Sequence, residues 1–327
     1  MTQRPIVQRL TTQRVLRHRL HRPLIALTAL MGITGVASMV LAIVAPVEIL
    51  GANGWLKPVK FSISIAIFAA TIALILDTLP RRRWLWWLGT AIALLLLAEQ
   101  VVIVAAVAQG STSHFNVATA VASTLYSLMG ASIAAVWVLT LVLGVLVWRR
   151  RDGDPARRAA LRAGIVVGLA GMGLAFLMTG PTSAQLSDFQ GVAGAHAVGI
   201  ADGGAGLPLL GWSVEGGDLR APHFMGMHAL QGLPLLVWGL EALARRVPLL
   251  ASVRTRTRLA WIAGTAWAGA TAITLWQALR GESIIAPSAP VATATALLAV
   301  GILIATASVL RSPRVPEAGR RAPQPVA

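Results

Sequence analysis

The chain has no cysteine. That excludes disulfides, haem attached through Cys-x-x-Cys-His, iron–sulfur clusters and thiolate zinc sites, and it leaves His, carboxylate, Met and backbone oxygen as the only available metal ligands. Acidic residues are scarce, 12 in 327, and of 28 basic residues only Lys57 and Lys60 are lysines. Charged residues make up 12% of the chain against 56% hydrophobic. So much apolar surface cannot be hidden in one water-soluble core, and the mean hydropathy of +0.72 agrees that lipid is the solvent. The net charge of +16 would suggest nucleic acid in a soluble protein. Here the arginines stand in short clusters between long apolar runs, as a positive-inside bias places them, so nucleic acid is excluded as a partner.

A hydrocarbon core of about 30 Å needs roughly 20 apolar residues per helix. Eight runs meet this requirement: 24–46, 59–79, 84–108, 121–148, 160–179, 222–244, 258–280 and 290–310. The expected fold is an all-α membrane bundle of about eight transmembrane helices. The first run is too long for a signal-peptide core and lacks a small-residue cleavage site, so it is expected to remain in the mature protein. With the N-terminus inside, the segments on that side carry 24 of the lysines and arginines, and the other side carries only Lys57, Lys60, Arg220 and Arg280. That split predicts a cytoplasmic N-terminus and C-terminus. Trp84, Trp86, Trp87, Trp148 and Trp261 fall at inner helix ends and Trp55, Trp212 and Trp276 at outer ones, as an aromatic belt requires.

The organisation that follows is a basic N-tail at 1–23, a transmembrane domain at 24–310 and a disordered, proline-containing tail at 311–327. Between the fifth and sixth runs lies a Gly-rich stretch, 181–221, whose Phe189, Leu207, Leu209 and Trp212 give it enough apolar surface to order as a cap. The second run begins Leu56-Lys57-Pro58-Val59-Lys60-Phe61 and the sixth Leu219-Arg220-Ala221-Pro222-His223-Phe224. This echo suggests a 4+4 repeat about an axis along the membrane normal, with Lys60 and His223 at equivalent positions.

Ionisable groups inside a membrane are costly and mark functional sites. Glu99 is the clearest, about 13 Å from the outer end of its helix at 1.5 Å per residue. His228 and Gln231 lie in the same outer half of the sixth helix, one turn apart. Lys57 and Lys60 are the only lysines, on the face where positive charge is otherwise sparse, and a compact titratable ammonium suits the handling of an anion or a proton. The ordinary readings are helix–helix hydrogen bonding for Glu99 and His228 and interfacial snorkelling for the lysines. The expected substrate or proton site is Lys60, Glu99, His228 and Gln231, with Lys57, Asn53 and His114 secondary. His223, His228, Asp202 and His196 are candidate ligands for a metal, although none of their spacings is diagnostic. Asp77 and Glu241 are expected to pair with Arg81 and Arg245 at i+4.

The segments Lys57-Pro58-Val59-Lys60-Phe61 and His223-Phe224-Met225-Gly226-Met227-His228-Ala229-Leu230-Gln231 resemble those of an uncharacterised family of bacterial multipass membrane proteins. The resemblance implies that these residues form the site, and it carries no established activity; the Arg-, Ala- and Gly-heavy composition fits a GC-rich bacterium, so a bacterial cytoplasmic (inner) membrane is the expected location. Three function classes stay open. Transport or binding of a small solute or ion ranks first. An outward-facing metal- or haem-binding redox protein or enzyme follows, and a membrane assembly or sensory protein comes last.

Overall fold

The computed structural model describes residues 20–311. The expected N-tail and C-tail therefore fall almost wholly outside the described residues. Helices dominate: α1 (Arg22–Val44), α2 (Leu56–Thr78), α3 (Arg83–Ala108), α4 (Ala120–Arg149), α5 (Pro155–Gly173), the short α6 (Ser183–Ser187), α7 (Arg220–Met227), α8 (Ala229–Leu243), α9 (Val253–Leu279) and α10 (Ala289–Arg311). Among the described residues seven helices are long and apolar enough to cross a membrane, and the chain is an all-α membrane bundle. The remaining crossing is divided. Where the sequence suggests one helix over 222–244, α7 and α8 are separated by a turn at His228, where Gln231 N–H bonds the His228 carbonyl. Pro234, inside α8, also lacks the N–H that the Leu230 carbonyl would accept. Together α7 and α8 span about 36 Å, enough for one traverse.

Connectivity puts the turns 45–55, 109–119, 179–219 and 280–288 at one end of the bundle, and the arginine-rich turns, the start of α1 and the end of α10 at the other. We call these the ribbon end and the arginine end. The ribbon end takes its name from two antiparallel pairs. In the first, β1 (Glu48–Ile49) pairs with β2 (Ala52–Asn53) around a tight turn in which Leu50 and Gly51 both have positive φ, the two-residue hairpin geometry. In the second, β3 (Ala197–Val198) pairs with β4 (Gly217–Asp218). Each ribbon leads directly into a helix, α2 and α7.

The first and second halves of the chain share a neighbour order. Span one packs on two and three, two on three, and three on four; span five likewise packs on six and seven, six on seven, and seven on eight. Local details follow the same order. Pro23 and Pro155 occupy the first turns of α1 and α5. Both α3 and α9 end in a left-handed glycine, Gly110 and Gly281, with Ser111 N–H reaching back to the Ala106 carbonyl and Glu282 N–H to that of Gln277. The halves meet where α4 packs on α5 and α2 touches α8.

At the arginine end His21 accepts from Leu24 N–H and its Nε2 lies 2.9 Å from the Trp86 carbonyl, tying α1 to α3. Glu241 pairs with Arg157 at 2.6 Å and not with Arg245. The expected i+4 pair is displaced because α5 packs beside α8, and a bidentate arginine fork on a neighbouring helix holds a carboxylate better than its own helix does.

Candidate functional site

The buried stripe of α3 runs Leu85, Leu88, Ile92, Leu96, Glu99, Ile103 and Val107, a regular helical repeat in which Glu99 stands where another leucine would fit. Its carboxyl is therefore turned into the bundle, only 3% exposed. Oε1 lies 3.6 Å from His114 Nε2, while Oε2 is buried with no hydrogen-bond partner. The adjacent Gln100 donates to Ser62 Oγ at 3.0 Å and to the Pro58 carbonyl at 3.3 Å, joining α3 to the first turns of α2. Lys57, on those same turns, lies within electrostatic reach of Glu99 and, among the described residues, has no carboxylate at ion-pair distance.

His114 is delivered by the turn after α3. Gly110 reverses the chain, Asn116 bonds Ser111 Oγ and Ala118 N–H, and the segment 191–195 laces on through Val117 N–H to Gly191 and Ala193 N–H to Phe115. The His114 ring lies 5.4 Å from Phe61 and its Nδ1 is 3.0 Å from Ser113 Oγ. Ser113 is buried and adjacent in sequence, so this contact orients the imidazole and does not present a nucleophile. Burial first, and then the charges of Lys57 and His196, hold His114 well below the ordinary histidine range, so it is a neutral imidazole near pH 7.

Next to it stands Phe115 with φ of 64°, a strained backbone for a bulky residue, which aims its ring at His196, 4.8 Å away, and at Tyr126, 5.9 Å away. His196 Nδ1 lies 3.0 Å from Asp202 Oδ2, and the same carboxylate accepts from the backbone N–H groups of His196 and Ala197. Burial alone would raise Asp202. The bonds from His196 and the two amides overcome it and hold the carboxyl at about 2, while burial keeps His196 below its usual value. At neutral pH the pair is thus a carboxylate accepting from a neutral imidazole, and the tautomer so fixed leaves Nε2 as a proton acceptor. Glu99, His114, Phe115, His196 and Asp202 form a file from mid-helix to the ribbon-end surface.

The other expected site residues have hydrogen-bond partners of their own. Lys60 donates to the Leu210 carbonyl at 3.1 Å, tethering α2 to the long cap. His228 Nδ1 is 3.2 Å from its neighbour Gln231 Oε1, and its ring packs 4.3 Å from Phe224. His223 donates to the Gly171 carbonyl at 2.8 Å. Asn53 caps the ribbon, bonding the Ala42 carbonyl and Trp55 N–H. Among the described residues no hydrogen bond or ion pair joins Glu99 to Lys60, His228 or Gln231; it meets His114 at 3.6 Å and lies within electrostatic reach of Lys57. Of the expected metal set, His196 and Asp202 are hydrogen-bonded and His223 lies within electrostatic reach of His228 and His196, and among the described residues no group of three or more His, Asp or Glu is placed to hold a metal ion. Sequence reasoning missed the Asp218–Arg220 pair at 2.6 Å, which also holds Ser213 N–H and Gly211 and fixes the second ribbon. The Leu219-Arg220 echo of Leu56-Lys57 is the one signal that pointed there.

Fold and site define a multi-pass helical membrane protein with a buried carboxyl beside one neutral histidine, and a second neutral histidine nearer the ribbon-end surface across the Phe115 ring. A scan against protein-family models finds no match. Comparison with curated proteins and with solved structures finds none either.

Proposed function

We propose that this protein sits in a bacterial cytoplasmic membrane with its arginine end in the cytoplasm, and that it binds or moves a small solute or ion in step with a proton carried by Glu99. The observation that carries the reading is Glu99 itself: a buried carboxyl about 13 Å below the ribbon end, with one oxygen beside a neutral His114 and the other without a partner. Such a group in lipid is retained at a cost and is best explained by a proton that comes and goes. His114 and then His196 offer the exchange route to the surface. Lys57 supplies the positive charge that an anionic solute, or the ionised state of Glu99, would require.

The orientation rests on the 24 to 4 division of basic residues. The family resemblance supports the reading through Lys57 and Phe61, which stand beside the Glu99–His114 pair, whereas His223, His228 and Gln231 serve helix packing. A metal or haem centre receives less support, since its candidate ligands have separate partners.

The test is reconstitution into proteoliposomes carrying an internal pH dye, challenged with a panel of small carboxylates, phosphate, amines and sugars. Wild-type protein should move protons in response to one class. Glu99→Gln, which keeps shape and removes the titration, should lose at least about tenfold of that flux at an unchanged unfolding temperature. Full flux in Glu99→Gln would sink the proposal.

A further inference from the structure

An apolar groove lies at the arginine end, between α8, α9 and α10. It has a volume of about 630 Å³ and is formed by Leu236 and Leu240 of α8, Leu250, Ile262 and Ala266 of α9's side, and Ile302 of α10. Its origin is a divergence of the last two spans. α10 meets α9 closely where a Cβ on Gly269 would lie 2.8 Å from Leu298 Cδ1, and its only buried residue is Val291 near the ribbon end. Beyond that crossing the small side chains of Ala263 and Ala266 leave the space unfilled. The walls are apolar along the whole length.

Three arginines stand in the chain beside, or one turn from, residues of the wall. Arg246 directly precedes Val247, Arg258 stands one turn before Ile262 on α9, and Arg311 directly follows Leu310, each of those neighbours being part of the wall. All three are exposed, and among the described residues none is ion-paired. Their counterparts Arg157 and Arg256 are engaged by Glu241 and Asp154. The acid nearest the groove, Glu241, is thereby neutralised.

We propose that this groove seats one acyl chain of an anionic phospholipid whose phosphate is held by Arg246, Arg258 and Arg311. An apolar slot open to the bilayer excludes water and takes hydrocarbon, and unpaired guanidinium groups at headgroup depth select a phosphate with net negative charge over a zwitterion. The lipid would also fill the gap that α10 leaves, wedging the last span onto the bundle.

The experiment uses the full chain in mild detergent with phosphatidylglycerol carrying a photoactivatable diazirine in its acyl chain, and the phosphatidylcholine analogue as comparison, with cross-links mapped by mass spectrometry. The proposal expects labelling concentrated on Ile262, Ala266 and Ile302, with about a tenfold preference for phosphatidylglycerol, the scale set by two or three arginines near an anionic headgroup. Ala266→Phe should abolish the labelling by filling the slot, and Thr306→Phe, on the lightly packed α10, gives the same readout should the first variant fail to fold. Replacing Arg246, Arg258 and Arg311 together by Gln should equalise the two lipids. Labelling spread evenly around the lipid belt, labelling unchanged by either filling variant, equal labelling of both lipids by wild type, or cross-links showing residues 312–327 or a second copy in the groove would each overturn it.

Discussion

The first four spans are held together by Leu, Ile, Met and Phe, as in Leu24, Met31, Phe68, Ile72 and Ile92, whereas spans five to seven meet through Ala156, Ala160, Ala163, Ala229 and Ala260. The neighbour order is the same, yet the contact chemistry differs. In the second half backbones approach so closely that a Cβ on Gly171 would sit 2.2 Å from the Met227 nitrogen, and the His223 ring donates across the same contact. In lipid the gain in such an interface comes from close packing and interhelical hydrogen bonds, and small residues permit both. The first half packs large side chains between its helices, and Glu99, Gln100 and Lys57 stand where α2, α3 and the 109–119 turn come together. One architecture thus yields a half joined through small residues and a half that packs large side chains and houses polar groups.

The largest effect that would break this contrast is expected at Gly171. Leucine there meets backbone that cannot yield, so Gly171→Leu should prevent folding. Gly32→Leu, with nothing within 4 Å of its Cβ, should leave the unfolding temperature in detergent unchanged. Next, Ile92→Ala opens a cavity in the large-residue core and should cost about 2–5 kcal/mol by the same measurement. Ala160→Gly in the second half should cost markedly less. His223→Ala removes one interhelical bond, worth about 1 kcal/mol.

The smallest effect concerns pH and the cap. Because both His196 and Asp202 are depressed, folding favours the deprotonated form of each. Their contribution is present above the ordinary histidine value and is lost in two stages as pH falls, first through the lowered value of His196 and then toward about 2 for Asp202. Limited proteolysis of 180–219 should therefore quicken as pH falls below the ordinary histidine value, and Asp202→Asn should quicken it at neutral pH as well.

Span positions were legible because the bilayer imposes length and hydropathy on every crossing. The inward direction of Glu99 was legible too, since it occupies a position in the Leu85 to Val107 stripe. What the sequence concealed depends on long-range placement. His114 reaches Glu99 only because Gly110 turns the chain back and 191–195 pins the loop. Lys57, not Lys60, stands at the carboxyl because Lys60 is drawn to Leu210, 150 residues away. His228 looked like an intramembrane site and instead occupies the turn between two helical pieces, where a side chain bonded to Gln231 satisfies itself locally. Glu241 was assigned to its own helix because a sequence shows i+4 neighbours and hides the arginine on the next span.

The neighbour order also bears on how the chain is made. The main helix–helix contacts join spans one or two positions apart in the chain, with a lighter touch of α2 on α8. A chain leaving the insertion machinery from its N-terminus can therefore pack spans one to three before the fifth is synthesised. The loop carrying His114 and the Lys60 tether wait for the later 191–210 segment, so the site around Glu99 is finished after the helices that hold it.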